Sequence, residues 1–220
     1  ELFMKKLLVS ILASLFFVSY ANAGPSLSGL YFELGSAAVG VEMDGNFNDD
    51  NGDISYGTVG KTAVTGSYGL GFMTSREKPI SFDLGYAVTP GSAKIKATSD
   101  NTATDVTMEV SDGTEWYVTA MANITEDASV YIKYGDNDAD VKVTGDINNP
   151  GNLNGTTVAL GTLMSWGSSM YIRTEAGITD YDQISATGKG TSAENEGGIG
   201  TDVKVTADPT VHYGKIAIGF

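Results

Sequence analysis

The sequence predicts an all-β fold, an eight-stranded antiparallel up-and-down transmembrane β-barrel. Three observations predict it: apolar residues alternate with polar or small ones in eight segments, short and long links alternate between the segments, and the last segment is apolar and stops at Phe220. After the N-terminal leader, no apolar run approaches the roughly 20 residues that a membrane-spanning helix requires. A membrane-spanning form of this chain must therefore cross with strands.

The N-terminus has the pattern of a secretory leader. Lys5 and Lys6 precede the apolar run 7–18, and Ala21-Asn22-Ala23 supplies a small-x-small cleavage pattern. We expect residues 1–23 to be a signal peptide and residues 24–220 to form the barrel domain. Residues 1–3 are expected to be additional residues upstream of the natural start at Met4. A retained N-terminal helix is the alternative, although the apolar run is short for a spanning helix.

Eight segments follow the period-two pattern of β-strands, and Thr, Val, Tyr and Ile populate them, as strands prefer. In chain order, their apolar faces carry Leu30, Phe32 and Leu34; Val64, Tyr68, Leu70 and Phe72; Ile80, Phe82, Leu84, Tyr86 and Val88; Trp116, Val118, Ala120, Ala122 and Ile124; Val130, Ile132 and Tyr134; Val158, Leu160, Met164 and Trp166; Met170, Ile172, Ala176 and Ile178; and Ile216, Ile218 and Phe220. An even strand count suits a closed bacterial barrel.

The links between segments separate into two classes. Three are short, at Thr74–Lys78, Thr125–Asp127 and Gly167–Ser169. Four are long and rich in Asn, Asp and Gly, at Met43–Ser55, Thr89–Asp105, Asp136–Gly155 and Thr179–Thr210. An up-and-down membrane barrel with both termini in the periplasm has tight turns at one rim and long loops at the other. A soluble sandwich has no reason to segregate its links in this way.

The face opposite the apolar one carries charged residues interleaved with glycine. They are Glu33, Asp83, Glu115, Lys133, Arg173, Glu175 and Lys215. These charges nearly balance although the chain has a net charge of −14, which favours a paired interior over a solvated surface. We therefore expect the apolar face to meet lipid and the seven charges to plug the lumen, which in an eight-stranded barrel holds only side chains. A gated conductance or proton path is the alternative.

Composition excludes several functions. The acidic balance argues against nucleic acid, which requires Lys and Arg at its phosphates. With no Cys and a single histidine, His212, the chain offers neither disulfides nor a His/Cys metal site. A Ser two residues after His is typical of barrel lipid A deacylases, and Gly214 stands there. We expect no catalysis and no cofactor.

The leader, the eight alternating segments, the unequal links and the terminal Phe220 resemble the small outer-membrane barrels, including the OmpA transmembrane domain, OmpX and the opacity-type surface antigens. The resemblance covers 24–220 and implies the outer membrane of a Gram-negative bacterium, with lipid and lipopolysaccharide as neighbours. It also implies that Ile216, Ile218 and Phe220 form the signal that the barrel-assembly machinery reads. The chain departs from that signal at Lys215, where the family commonly has a small residue.

Two local patterns suggest ligands. Asp44, Asn46 and Asn48 place oxygen atoms at alternate positions, as calcium loops do, but the run lacks the Gly and Glu of an EF-hand, and a solvated turn is the alternative. Lys94 and Lys96 alternate in the extension of the third segment, where they can meet lipopolysaccharide phosphates. A solvated hairpin explains them as well.

These features favour a structural, adhesion or surface-antigen role, exerted through four long acidic extracellular loops on a barrel with a plugged lumen, because loops carry binding on a rigid scaffold. A narrow porin-like channel for small solutes is the alternative, and a lipid A-modifying enzyme is a more distant one. The extracellular ligand is not identified by any motif.

Overall fold

The computed structural model describes residues 28–48, 54–97, 106–145, 147–166, 169–189 and 204–220. Within these ranges nine strands run in chain order: β1 (Gly29–Asn48), β2 (Ile54–Met73), β3 (Ile80–Ala97), β4 (Val106–Asn123), β5 (Ala128–Thr144), β6 (Leu153–Trp166), β7 (Met170–Tyr181), β8 (Ile184–Thr187) and β9 (Lys204–Gly219). Among the residues described, no helix is long and apolar enough to cross a membrane. The expected signal peptide lies outside these residues.

The strands close into an antiparallel barrel. Each strand from β1 to β6 pairs with the next along the chain, β7 pairs with β9, and β9 pairs back with β1. At the seam the amide of Phe32 donates to the carbonyl of Phe220 at 3.0 Å, and the reverse bond measures 2.9 Å. Eight strands form the wall, and the short β8 pairs only with β9. The predicted eight-stranded barrel is confirmed.

Alternation along the strands separates an apolar exterior from a mixed interior. Leu70 is 59% exposed and Leu160 66% exposed. On the other face, Asp83 and Arg173 are 0% and 2% exposed. The aliphatic rows therefore point outward, as expected for a barrel in lipid and opposite to a soluble barrel with an apolar interior.

The predicted rims are partly right. The three short links join β2 to β3, β4 to β5 and β6 to β7. The predicted long loops are wrong over much of their length: β1 and β2 stay paired as far as Asn48 and Ile54, β3 continues to Ala97, and β5 to Thr144. Strands that rise beyond the lipid no longer need an apolar face, so pairing continues without the alternation that marks it in the sequence.

The barrel wall has a break between β2 and β3. These strands pair only from Tyr68 opposite Val88 to Met73 opposite Asp83. Farther out, β2 continues to pair with β1, and β3 continues to pair with β4. Pro90 and Gly91 lie at the register shift between Thr89 and Ser92, and Pro lacks the amide that a ladder bond would need.

We expect the stability cost of a charged residue on the apolar exterior to depend on how deep in the membrane the residue lies. On β3, Leu84 occupies the middle of the outward row and Ile80 its inner end. Leu84→Arg should lower the free energy of unfolding by about 2–4 kcal/mol, and Ile80→Arg by about 0–1 kcal/mol, because an arginine at the rim reaches the headgroups. Denaturant unfolding in phospholipid vesicles measures both. Equal losses would contradict a lipid-facing row on β3.

Candidate functional site in the barrel lumen

All seven charged residues predicted for the lumen lie together inside the barrel. They come from β1, β3, β4, β5, β7 and β9. Alternate side chains of a strand point to the same side of the sheet, and these seven point toward the barrel axis. Arg173 is central to one group: its Nε lies 3.1 Å from Glu33 Oε2 and its Nη2 lies 2.8 Å from Asp83 Oδ2. Lys215 joins this group, with Nζ 2.9 Å from Glu33 Oε1.

Lys133 is central to the second group. Its Nζ lies 2.5 Å from Glu175 Oε1 and 3.0 Å from Glu115 Oε1. Tyr213 donates to the same Glu175 oxygen at 2.6 Å, and Tyr131 donates to Glu175 Oε2 at 2.8 Å. Each buried carboxylate thus meets a cation, which offsets part of the several kcal/mol that desolvating an ion costs.

Tyrosines that the sequence analysis missed enclose these ions. Among the described residues, six inward tyrosines each lie directly opposite a glycine of a neighbouring strand: Tyr31 and Gly71, Tyr117 and Gly85, Tyr131 and Gly161, Tyr171 and Gly219, Tyr213 and Gly177, Tyr181 and Gly155. A side chain on any of these glycines would collide with the tyrosine ring. The glycines therefore leave the space that the rings fill, and this pairing of Tyr with Gly at interior positions was the sequence signal to find them.

Several of the tyrosines also take part in the ionic network. Tyr31 donates to Asp83 Oδ1 at 2.6 Å, and Tyr171 donates to Glu33 Oε2 at 3.2 Å. The Arg173 guanidinium lies 5.3 to 5.9 Å from four ring centroids, those of Tyr31, Tyr117, Tyr131 and Tyr171. Such cation–π contacts strengthen where water is excluded.

Below the ions, toward the short-turn rim, the interior is filled. A cluster of Tyr31, Met73, Met121, Tyr131, Leu163 and Tyr171 occupies the next layer. At the rim itself Arg76, from the β2–β3 turn, reaches across the barrel and donates to the hydroxyls of Ser129 and Ser165. Burial lowers the pKa of Arg76 from its usual value. Together these layers occupy the inner half of the lumen.

Above the ions the lumen holds a cavity of about 370 Å³. Its wall combines apolar side chains with interleaved serines, threonines, Asp112 and Asn137; the apolar ones include Ala37, Val39, Val41, Met43, Ala63, Ala87, Val110, Ala139, Leu153, Pro209 and Val211. Its floor includes Glu115, Lys133, Glu175, Tyr213 and Lys215. On the side of the lumen formed by β4 to β8 there is a buried apolar cluster of Ala139, Val141 and Leu153. Met108, Val110, Val143, Tyr181 and Ile184 pack against it.

The cavity reaches the exterior through the break in the wall. Its lining includes Val64 and Gly66 as well as Pro90 and Gly91. Val64 belongs to the outward row of β2 and is 79% exposed. One continuous space therefore joins the lumen to the outer surface between β2 and β3, at the outer edge of the apolar row.

The remaining candidate residues are separate from the lumen site. Asp44, Asn46 and Asn48 lie in β1, not in a loop, because β1 is paired on both sides there. Among the residues described, no group of three His, Asp or Glu side chains is placed to hold a metal ion. On β3, Lys94 pairs with Glu109 at 3.5 Å and Lys96 lies opposite Thr107 in the register.

Two further candidates lie on β9. His212 is exposed on the outward face, opposite Gly40 of β1 and Ile178 of β7. The proposed assembly signal, Ile216, Ile218 and Phe220, also faces outward, and its three side chains are 55%, 39% and 52% exposed. The role of these three residues in assembly stays a prediction.

The fold matches solved structures of outer-membrane proteins. Outer membrane protein OprG from Pseudomonas aeruginosa superposes with a TM-score of 0.58 at 13% identity, over 90% of this chain and 99% of OprG. Outer membrane protein AlkL, solved in DMPC lipid bilayers, gives 0.50 at 16% identity, over 90% and 93% of the two chains. No family model and no curated protein matches the sequence. The chain has the fold of the small outer-membrane barrels, which is characteristic of Gram-negative outer membranes, as the sequence resemblance predicted.

The central arginine gives a test of the ionic network. Arg173→Met should lower the free energy of unfolding by about 3–5 kcal/mol, because it leaves Glu33 and Asp83 buried without that cation. Lys94→Met is the matched control: it breaks an ion pair whose lysine side chain is 62% exposed, so its loss should stay below about 1 kcal/mol. Denaturant unfolding in vesicles measures both, and a loss as small for Arg173→Met as for the control would contradict the burial of this pair.

The contacts between tyrosine and glycine give a second test. Gly85→Ala places a methyl group against the Tyr117 ring, so we expect a loss of about 1–3 kcal/mol from overpacking. Gly214→Ala is the control, since a methyl group there meets no atom within 4 Å, and its effect should stay within about 0.5 kcal/mol. Unfolding midpoints compare the two, and a neutral Gly85→Ala would show that the ring does not occupy this space.

Proposed function

We propose that this barrel binds small, largely apolar molecules in the outer half of its lumen and exchanges them with the outer membrane through the gap between β2 and β3. One observation carries the proposal: the residues lining the luminal cavity include Val64 and Gly66, which belong to the exterior face. A molecule in the cavity can therefore reach the lipid sideways, without crossing the inner half of the barrel.

The cavity suits an apolar guest of modest size. Its volume of about 370 Å³ lies at the lower end of the usual range of about 300–1,000 Å³ for ligand pockets. Its walls carry alanine, valine, methionine, leucine and proline side chains interleaved with serines, threonines, Asp112 and Asn137, and the paired charges lie on the floor. Apolar side chains combined with placed polar groups are typical of small-molecule sites.

The inner half favours lateral exchange over direct passage. A solute moving straight through would have to displace the ion groups of Arg173 and Lys133, then the tyrosine and methionine layer, then Arg76. Unpairing buried charges costs several kcal/mol each. The narrow porin-like channel is therefore less favoured, and the lumen should pass no sustained ion current in a planar bilayer.

A side chain crosses the gap. Lys61 of β2 donates from Nζ to the backbone carbonyl of Lys94 on β3 at 2.5 Å. Both lysines are exposed, and this bond joins the two strands beyond the point where their described backbone ladder ends. A link of this kind opens at far lower cost than several paired backbone bonds, which suits a passage that must admit a guest.

A surface role rests on different residues. The β1–β2 and β3–β4 arms rise beyond the apolar rows as paired strands, which would give extracellular contacts a continuous support. Adhesion, antigen display and contact of Lys94 and Lys96 with lipopolysaccharide remain proposals for these arms. Export by the leader, a mature start at Gly24 and recognition of Ile216, Ile218 and Phe220 by the assembly machinery complete the proposed route to the outer membrane.

Alanine methyl groups provide a direct test of binding, because they lie on both faces of the wall. In lipid nanodiscs, 1-octanol should shift the methyl resonances of the cavity residues Ala37, Ala87 and Ala139 saturably. It should shift those of the lipid-facing residues Ala120, Ala122 and Ala176 only in proportion to its concentration in the lipid. A saturable response confined to the inward methyls is the expected result, since only the cavity is a discrete site.

A pair of adjacent substitutions controls this experiment. Ala37→Phe fills part of the cavity, whereas Ala38→Phe adds the same ring on the outward face. We expect Ala37→Phe to abolish the saturable shifts of the other cavity alanines and Ala38→Phe to leave them intact. Inward methyls that do not respond to octanol in the unmodified protein would overturn the proposed function.

A further inference from the structure

We propose that the cavity prefers molecules that combine an alkyl body with one protonated amine, and that the ammonium group binds against the Glu115 carboxylate. This inference rests on the proposed function, since it concerns the same cavity. It names the chemical class of the guest, a primary alkylammonium ion, and the residue that recognises it.

The first observation is a charge imbalance at the floor. The network contains four carboxylates, Glu33, Asp83, Glu115 and Glu175, but three cations, Lys133, Arg173 and Lys215. Arg173 lies between two of the carboxylates, Lys133 lies between the other two, and Lys215 shares Glu33. One negative charge is therefore in excess in a region largely removed from water, where an uncompensated charge is costly. A guest that carries one positive charge removes the excess.

The second observation places the excess charge at the cavity. Among the four carboxylate side chains, Glu115 is the most exposed, at 15%, against 0%, 1% and 3% for Asp83, Glu175 and Glu33. Glu115 and Glu175 line the cavity, whereas Glu33 and Asp83 lie below it. Of these two cavity-lining carboxylates of the network, Glu115 is the less enclosed.

The third observation is an unused acceptor. Glu115 Oε2 accepts a hydrogen bond from Lys133 Nζ at 3.0 Å. Glu115 Oε1 is buried and accepts no hydrogen bond, although Lys133 lies close to it. An ammonium group carries three donors and no acceptor, so it can give this oxygen a charge-assisted bond once the Glu115 side chain turns Oε1 toward the cavity. Ser67, which lines the cavity wall on β2, also has a buried hydroxyl without a hydrogen-bond partner.

An anionic head group is less favoured by the same geometry. Lys215 and Lys133 line the floor, yet each already contacts a carboxylate. A guest carboxylate would approach Lys215 while adding a second negative charge beside Glu115 and Glu175. A neutral hydroxyl head would satisfy the unused oxygen but leave the charge imbalance. The expected order of affinity is ammonium, then hydroxyl, then carboxylate.

Three probes of equal chain length test this order in the intact protein. Octylammonium, 1-octanol and octanoate are titrated at pH 7 into nanodiscs of zwitterionic lipid, and the saturable shifts of the Ala37, Ala87 and Ala139 methyls give each affinity. Octylammonium should bind on the order of tenfold more tightly than octanol, the gain expected from one charge-assisted hydrogen bond. Octanoate should bind more weakly than both.

Two variants separate the Glu115 contact from general attraction to an acidic protein. Glu115→Gln keeps the shape and removes the charge, and it should abolish the preference for octylammonium while octanol affinity changes less than twofold. Asp136→Asn removes a carboxylate from the exposed outward face of β5 and should leave the preference intact. If Glu115→Gln fails to fold, the ranking of the three probes on the unmodified protein still decides the question.

The outcomes separate the two proposals. Equal affinities for octylammonium and octanol, or tightest binding of octanoate, would overturn the inference while leaving the cavity a site for apolar molecules. A preference that survives Glu115→Gln, or that is lost equally in Asp136→Asn, would also overturn it. Absence of saturable shifts with all three probes would instead remove the proposed function itself.

Discussion

The pairing of buried charges around Arg173 and Lys133 is the constraint on which the rest of the barrel depends. A strand that crosses lipid must bond every backbone group to a neighbour, so the sheet must close. Eight closed strands leave an interior just wide enough for side chains. Period two then sends every second residue of each strand into that interior. Because the outward residues must be apolar, the polar residues of the strands collect inside and have to satisfy one another.

The tyrosine and glycine pairs show how this interior is filled without strain. Each of these six rings lies over a residue that has no side chain, so the rings fit where larger residues opposite them would collide with them. The rings exclude water from Arg173 and supply hydroxyl donors to Glu33, Asp83 and Glu175. Exclusion of water strengthens each ion pair and also raises the cost of breaking one. The inner half of the lumen is consequently closely packed and largely removed from water.

Period two, the alternation of short and long links, the final strand ending at Phe220 and the near balance of the inward charges were together sufficient to predict the closed fold, the lipid-facing rows and the placement of Glu33, Asp83 and Arg173 on the inward face. They could not assign which residues touch, because contacts such as Tyr171 with Glu33 depend on the register of strands far apart in the sequence. The strand extensions beyond the lipid were missed for a related reason: pairing there no longer leaves an apolar pattern. The gap at Pro90 and Gly91 could be anticipated in part from the sequence, since proline interrupts a ladder. Which two strands separate there depends on β2 and β3 being neighbours in the fold.

The same requirement for closure explains where the wall can open. Within the apolar rows an unpaired strand edge would expose backbone groups to hydrocarbon at a cost of several kcal/mol each. Beyond Tyr68 and Val88 the edges of β2 and β3 lie at the outer margin of those rows, where water and headgroups can bond to them. An opening is therefore tolerated there and not deeper. The unpaired edges adjoin the outer half of the lumen, above the ion pairs. In the proposed exchange, a guest would break the Lys61 contact and leave the ion pairs intact, so sideways exchange is compatible with a filled inner half in one barrel.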